Sequence, residues 1–173
     1  MDALPRRKVG FAFDTFMLLH ENHKRSHPER PARLMCIVSH LDKQEDDILE
    51  SCIRVQCPFA QEVDIRRVHS TLELVERSRY NKKKLRDESV KVLKEHGTEV
   101  NYLEYDVFAN RYSYECALMA VGASVEACNA IFKRKECQSV FAAIRPPGHH
   151  AEAAKVQGFC FFNNAAVAAK HLQ

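Results

Sequence analysis

Ser139-Val140-Phe141-Ala142-Ala143-Ile144 runs directly into Arg145-Pro146-Pro147-Gly148-His149-His150-Ala151-Glu152, and this stretch decides the reading of the chain. The first six residues show no polar alternation. They predict a strand buried on both faces, as in a parallel sheet. Two prolines and a glycine then stop the strand and stiffen the turn. His149 and His150 are thereby expected just past the carboxyl end of a central strand, where open α/β sheets place their ligand sites. Two neighbouring imidazoles can share proton-transfer work, one neutral and one charged. A histidine pair alone is weak evidence. The rigid turn before it and the segment Gly158-Phe159-Cys160-Phe161-Phe162-Asn163-Asn164 after it strengthen it.

The wider sequence bounds the answer. The chain has 173 residues, 46% of them apolar and 28% charged, with a net charge of +3. That suits one globular domain with a sizeable core. The charge is too mild to argue for nucleic acid, and Lys82-Lys83-Lys84 and Lys133-Arg134-Lys135 read as solvated helix faces. No continuous apolar run reaches the length of a membrane span, and Met1-Asp2-Ala3-Leu4-Pro5 lacks the apolar centre of a signal peptide. The seven cysteines are odd in number and include no Cys-x-x-Cys. They read as reduced thiols of a nuclear or cytosolic protein. Cys160 reads as a small buried residue beside Phe161, not as a nucleophile or metal ligand.

In chain order, Lys8–Phe13 predicts the first strand. Asp14–His27 reads as a solvated loop, although the gaps of three and four between His20, His23 and His27 could set them on one helical face as ligands. Leu34, Ile37, Val38 and Leu41 predict a helix with Pro31 in its first turn. Asp42–Glu50 is acidic and reads as a turn with a fraying helix end. Cys52–Val55 predicts a short edge strand, and Val68-His69 a strand end, with His69 a structural histidine that satisfies backbone groups. A capping box at Ser70-Thr71-Leu72-Glu73 starts a helix, and Asn81–His96 reads as a surface helix ended by Gly97. Asn101–Asp106 reads as a loop or short extended piece. Tyr114–Phe132, apolar on several sides, predicts a largely buried helix. Asn163 or Asn164 caps a last helix over Ala165–His171. The order predicts an α/β three-layer sandwich with a mainly parallel sheet.

The paired-histidine turn and the Gly158–Asn164 segment resemble the zinc-dependent histone deacetylases, with the spelling of the class II branch. His27-Pro28-Glu29-Arg30-Pro31-Ala32-Arg33-Leu34, Val68-His69-Ser70 and Tyr105-Asp106 extend the resemblance over nearly the whole chain. It implies the first half of an arginase/deacetylase-like fold, and so a histone deacetylase-like domain over 1–173 that is incomplete at its C-terminal end. It further implies His150 as general base and acid, and His149 as the partner that steadies developing charge. Asp106 would be the rim carboxylate that accepts from substrate backbone amides. Gly158 and Phe159 would wall a tunnel for the acetyl-lysine stem, and Arg33 would line an acetate channel. The implied cofactor is Zn²⁺ in the full-length enzyme, but the family's zinc ligands and its carbonyl-polarising tyrosine are not found here. The chain alone is therefore expected to be inactive. Because its last helix and final strand would lack neighbours, leaving apolar surface and strand edges open, it is also expected to aggregate or to depend on a partner. The implied partners are acetyl-lysine proteins such as histone tails, with corepressor complexes, in the nucleus or cytoplasm. Nucleic-acid and membrane binding are not expected. A non-catalytic short product acting as a binding or dominant-negative module, and a related deacetylase of acetylpolyamines or other small amides, remain open readings.

Overall fold

The computed structural model of the chain describes residues 8–23, 26–43, 48–69 and 100–173. The capping box at Ser70, the Asn81–His96 helix with Gly97, Lys82-Lys83-Lys84 and the first five residues lie outside them. So does the middle of the acidic segment after Asp42, residues 44–47.

Three short strands form a parallel sheet: β1 (Val9–Ala12), β2 (Ile53–Val55) and β5 (Ser139–Ala142). Their order is β2-β1-β5, with Phe11 opposite both Arg54 and Phe141. Helices α1 (Ala32–Asp42), α2 (Ile48–Ser51) and α3 (Glu62–Arg66) lie in the first part of the chain. Helix α4 (Ser113–Cys128) continues into a π turn over Asn129–Lys133, and α5 (Asn164–Leu172) follows the histidine turn. This is the expected α/β architecture built on a parallel sheet.

Parallel pairing explains where the functional residues gather. Strands β1 and β5 run side by side in the same direction, and the ladder continues one step further through Ala143 N–H donating to Ala12 O. The segments that leave their carboxyl ends are therefore neighbours. After β1 comes a 3₁₀ turn, Thr15–Leu19, capped by the Asp14 carboxylate accepting from Phe16 N–H at 2.8 Å. After β5 comes the histidine turn.

Two apolar clusters meet on α4. Met119 and Ala123 pack with Phe11, Met17, Leu34 and Val55, while Ala117 and Val121 pack with Ile65, Phe161, Phe162 and Val167. Ser113–Lys133 is long and apolar enough by composition to cross a membrane, although polar residues interrupt it. Half of that stretch is buried in this core, the position of a central helix in a globular fold.

Three expectations change and one is sharpened. The Ser139–Ile144 run is not buried on both faces. Strand β5 alternates, with Phe141 48% exposed and stacked 6.0 Å from Phe11, and among the described residues it pairs with β1 alone. Val68-His69 does not end a strand. It follows α3, with His69 N–H bonded back to Ile65 O. Of the two readings of Asn101–Asp106, loop or short extended piece, the extended one holds: it belongs to an antiparallel hairpin, β3 (Asn101–Glu104) and β4 (Val107–Ala109), with Tyr105-Asp106 as its turn. Finally, Asp14–His27 is not a solvated loop. Met17, His20 and His27 within it are buried, because this segment packs beneath the histidine turn.

Candidate active site

The histidine turn is held from below by its first residue. Arg145 and Glu29 are each 1% exposed and form a two-point ion pair, Nε to Oε1 at 2.9 Å and Nη2 to Oε2 at 2.7 Å. The remaining guanidinium nitrogen donates to Met17 O at 2.9 Å and to Leu18 O at 3.4 Å. A rigid, planar cation with five donors suits this position, where a lysine would leave acceptors unmatched. The Arg145–Pro146 peptide bond is cis.

The ion pair continues into a buried polar chain. His20 lies 3.5 Å from Glu29 Oε2 through Nε2 and 2.7 Å from Ser113 Oγ through Nδ1. Asn110 N–H donates to Ser113 Oγ, and Asn110 Nδ2 donates to Leu19 O and Glu21 O. The His20 ring stacks flat on Phe108, with centroids 4.3 Å apart. Burial, then the Arg145 charge, then His27 hold His20 well below its ordinary pKa, so the ring is neutral. The Ser113 hydroxyl has one hydrogen to give: where it goes to Asn110 Oδ1 at 3.1 Å the neutral ring donates from Nδ1, and where it goes to His20 Nδ1 the ring carries its proton on Nε2, toward Glu29. His23 differs: it is exposed and pairs with Glu21 at 3.4 Å. The three histidines therefore share neither a helical face nor a ligand set.

From the other side, α5 grips the turn. Asn163 caps the helix by accepting from Ala166 N–H at 3.1 Å, as expected, and its Nδ2 donates to Ala151 O. Asn164 Nδ2 donates to Pro146 O at 3.3 Å. A side chain at Gly148 would meet Asn164 N and Phe162 O, both at 2.5 Å, so only glycine lets the turn lie this close to the helix. His69 is buried and accepts from Asn163 N–H at 2.9 Å, the structural role its position predicted.

Above this base lies an open cleft of about 450 Å³. Arg33, Asp106, His149, His150, Gly158 and Phe159 all line it, together with Pro28, Glu29 and Pro147. The structure thus brings all six sequence-predicted site residues to one place. The two imidazoles are tilted 50° to one another with centroids 4.2 Å apart. Both are solvent-accessible, yet they border the cleft they share with Asp106 and Phe159. Gly158 adopts φ +55°, and a side chain there would come within 2.6 Å of the His150 ring. The His150 imidazole therefore lies directly on the Gly158 backbone. Asp106 reaches the cleft because it turns the β3–β4 hairpin, whose Phe108 packs on both His20 and His27. Arg33 lies on the open side, 55% exposed, with Nη1 3.5 Å from Glu29 Oε1. Cys160 is fully buried beneath, its thiol pKa raised chiefly by that burial, which leaves it inert. All seven cysteines are free.

Local reading missed Glu29, His20, Ser113, Asn110 and Phe108, and left Arg145 without a role. The one available signal was His27-Pro28-Glu29-Arg30, which carried part of the family resemblance. Among the described residues, no group of three or more His, Cys, Asp or Glu converges to hold a metal ion. These residues do not make a zinc site.

The parallel α/β sheet with a paired-histidine turn at its carboxyl edge is consistent with an α/β deacetylase fold. The family model for the histone deacetylase domain matches residues 27–173. The chain belongs to the histone deacetylase family, which is generally zinc-dependent. It is 37% identical over 150 residues to histone deacetylase 6 of Caenorhabditis elegans, covering 86% of this chain and 15% of that protein. It is 34% identical over 181 residues to histone deacetylase 9 of Homo sapiens, covering 98% of this chain and 18% of that protein. Among solved structures, the HDA15 HD domain superposes with a TM-score of 0.80 at 30% identity, covering 96% of this chain and 43% of that one. The chain thus spans less than a fifth of those two relatives and under half of the solved domain.

Glu29→Gln removes one charge of a fully buried pair and leaves Arg145 uncompensated. The expected loss is about 3–5 kcal/mol of unfolding free energy, read from urea denaturation. A loss below about 1 kcal/mol would contradict this account.

His20 and His69 set an acid limit. Burial lowers both pKa values, for His69 with partial opposition from the Glu152 and Ala153 backbone. As pH falls below the ordinary histidine value of 6.5, the unfolded chain gains protons that the folded chain refuses. Stability is therefore full above that value and is lost below it, by up to about 1.4 kcal/mol per pH unit from His20. The urea midpoint is expected to be lower at pH 5.5 than at pH 7.5, and equal midpoints would rule this out.

Proposed function

We propose that this chain carries the substrate-binding and proton-transfer side of a protein-lysine deacetylase site. The observation that supports it is the convergence of Arg33, Asp106, His149, His150, Gly158 and Phe159 on one cleft. These residues come from three separate stretches of sequence, and packing alone gives no reason to collect them.

The chemistry follows from their groups. Amide hydrolysis needs a proton taken from the attacking water and one delivered to the departing amine. His150, supported from behind by the Gly158 backbone, is the group that accepts and returns that proton. His149, its ring 4.2 Å away, steadies the charge that develops during the transfer. Asp106 at the rim offers several acceptor sites to two backbone N–H donors of a peptide at once. Gly158 and Phe159 wall the passage for the lysine methylenes, and Arg33 offers a cation to the released acetate. The zinc that this family generally uses would polarise the acetyl carbonyl and acidify the water. The proposed substrates are acetylated histone tails or other acetyl-lysine proteins, in the nucleus or cytoplasm, with corepressor complexes as partners.

Two measurements test this reading. Titrating an acetyl-lysine peptide into the chain is expected to give binding that Asp106→Ala weakens by roughly 10–100-fold, the worth of hydrogen bonds to a charged acceptor. Equal affinity in both forms would remove Asp106 from the rim role. In a catalytic domain of full family length that carries these residues, His150→Ala is expected to lower kcat by roughly 10²–10⁴-fold. A kcat near wild type would end the base assignment.

A further inference from the structure

We propose that His27 is a positioning residue that holds the Phe159 ring against the cleft and so makes the cleft selective for a narrow, unbranched alkyl stem. The selectivity rests on the deacetylase reading above, whereas the hold on Phe159 stands on the structure of this chain.

Phe159 has φ +68°. A bulky side chain is disfavoured in that left-handed region, at a cost of order 1–3 kcal/mol. Such a conformation persists only where its surroundings enforce it. Gly158 and Phe159, both left-handed, are the central residues of a tight turn closed by Cys160 N–H donating to Gln157 O at 3.0 Å, and that turn sets the Phe159 backbone. The turn leaves open where the ring lies, and a side-chain contact holds it. The Phe159 ring meets His27 edge-on, with centroids 4.9 Å apart and planes at 78°.

His27 is built to resist. It is buried, and its ring also meets Phe108 in a second edge contact at 4.9 Å and 73°. The imidazole thus touches both a core aromatic and a cleft aromatic. Its Nδ1 lies 3.1 Å from Glu29 N and 3.0 Å from Glu29 O, which fixes the ring to the backbone of the residue that pairs with Arg145. A solvated loop histidine would have none of these contacts. The path Arg145–Glu29–His27–Phe159 therefore ties the base of the histidine turn to one wall of the cleft. Without the His27 ring, Phe159 loses its backstop. The wall can then retreat into the vacated space and admit a wider stem.

The test uses the full chain with ¹³C-labelled phenylalanine and two probe peptides. One carries Nε-acetyl-lysine. The other carries 4-acetamidophenylalanine, which presents a terminal acetamide on an aromatic stem. Wild type is expected to prefer acetyl-lysine. His27→Ala is expected to narrow that preference by roughly 2–10-fold, the scale of one edge-to-face contact, and to average the Phe159 ring signals. His27→Asn, which keeps a polar group near Glu29 N but no ring, is expected to behave like His27→Ala. His27→Phe, which keeps a ring edge, is expected to restore both the preference and the ring signals. If His27→Ala does not fold, the Asn and Phe variants decide. Folded Ala or Asn variants with an unchanged Phe159 spectrum, or with an unchanged preference between the peptides, would overturn the proposal. Failure of both peptides to bind wild type would overturn the deacetylase reading, and the Phe159 spectrum would still decide whether His27 holds the ring.

Discussion

One ion pair carries the site. Glu29 and Arg145 are both withdrawn from water, and each carboxylate oxygen faces one guanidinium nitrogen. Taking two charges out of water costs several kcal/mol per ion, and their attraction offsets this only when geometry and the remaining hydrogen bonds are complete. Here they are well supplied. Met17 O and Leu18 O take the spare arginine donors, and His20 lies 3.5 Å from the carboxylate. The pair adds little to net stability compared with an apolar replacement of the same shape. Its value is directional, since it fixes the root of the proline-stiffened turn relative to the segment after β1.

That arrangement links fold to chemistry. Parallel pairing of β1 and β5 makes neighbours of the two segments that leave the sheet, and the ion pair locks one to the other. The β3–β4 hairpin joins through Phe108, which lies flat on His20 and edge-on to His27. Asp106, two residues before Phe108, is held beside the cleft by that anchor. Helix α5 closes the opposite side through Asn163 and Asn164. The exposed imidazoles rest on a base whose polar groups are turned inward and bonded to one another.

Much of this was legible locally. Strand β1, the short edge strand β2, helix α1, helix α4 and the Asn163 cap follow from apolar spacing and capping chemistry, which act over a few residues. Pro146, Pro147 and Gly148 stop the strand by their own backbone limits. The rest depended on distance. His20 and His27 stand among Glu21, Lys24 and Arg25, so local composition argued for water, whereas their burial is decided by Phe108, some eighty residues on. Glu29 and Arg145 are 116 positions apart, and no periodicity pairs them. The hairpin was missed because its strands are three and four residues long, and its turn, Tyr105-Asp106, lacks the Asn-Gly or Asp-Gly signal. The double burial of β5 was overread because an unbroken apolar run does not say how many neighbours a strand will have.

The separation of Glu29 from Arg145 also has a consequence for biosynthesis. A ribosome adding roughly 5–20 residues per second needs about 6–23 s to advance from one to the other. Throughout that interval the emerging carboxylate has no arginine to meet and stays hydrated, and the hollow later bordered by Pro147 and Phe159 has no second half. The cleft therefore consolidates only after Arg145 has emerged, well after the opening strand and its helix have left the exit channel.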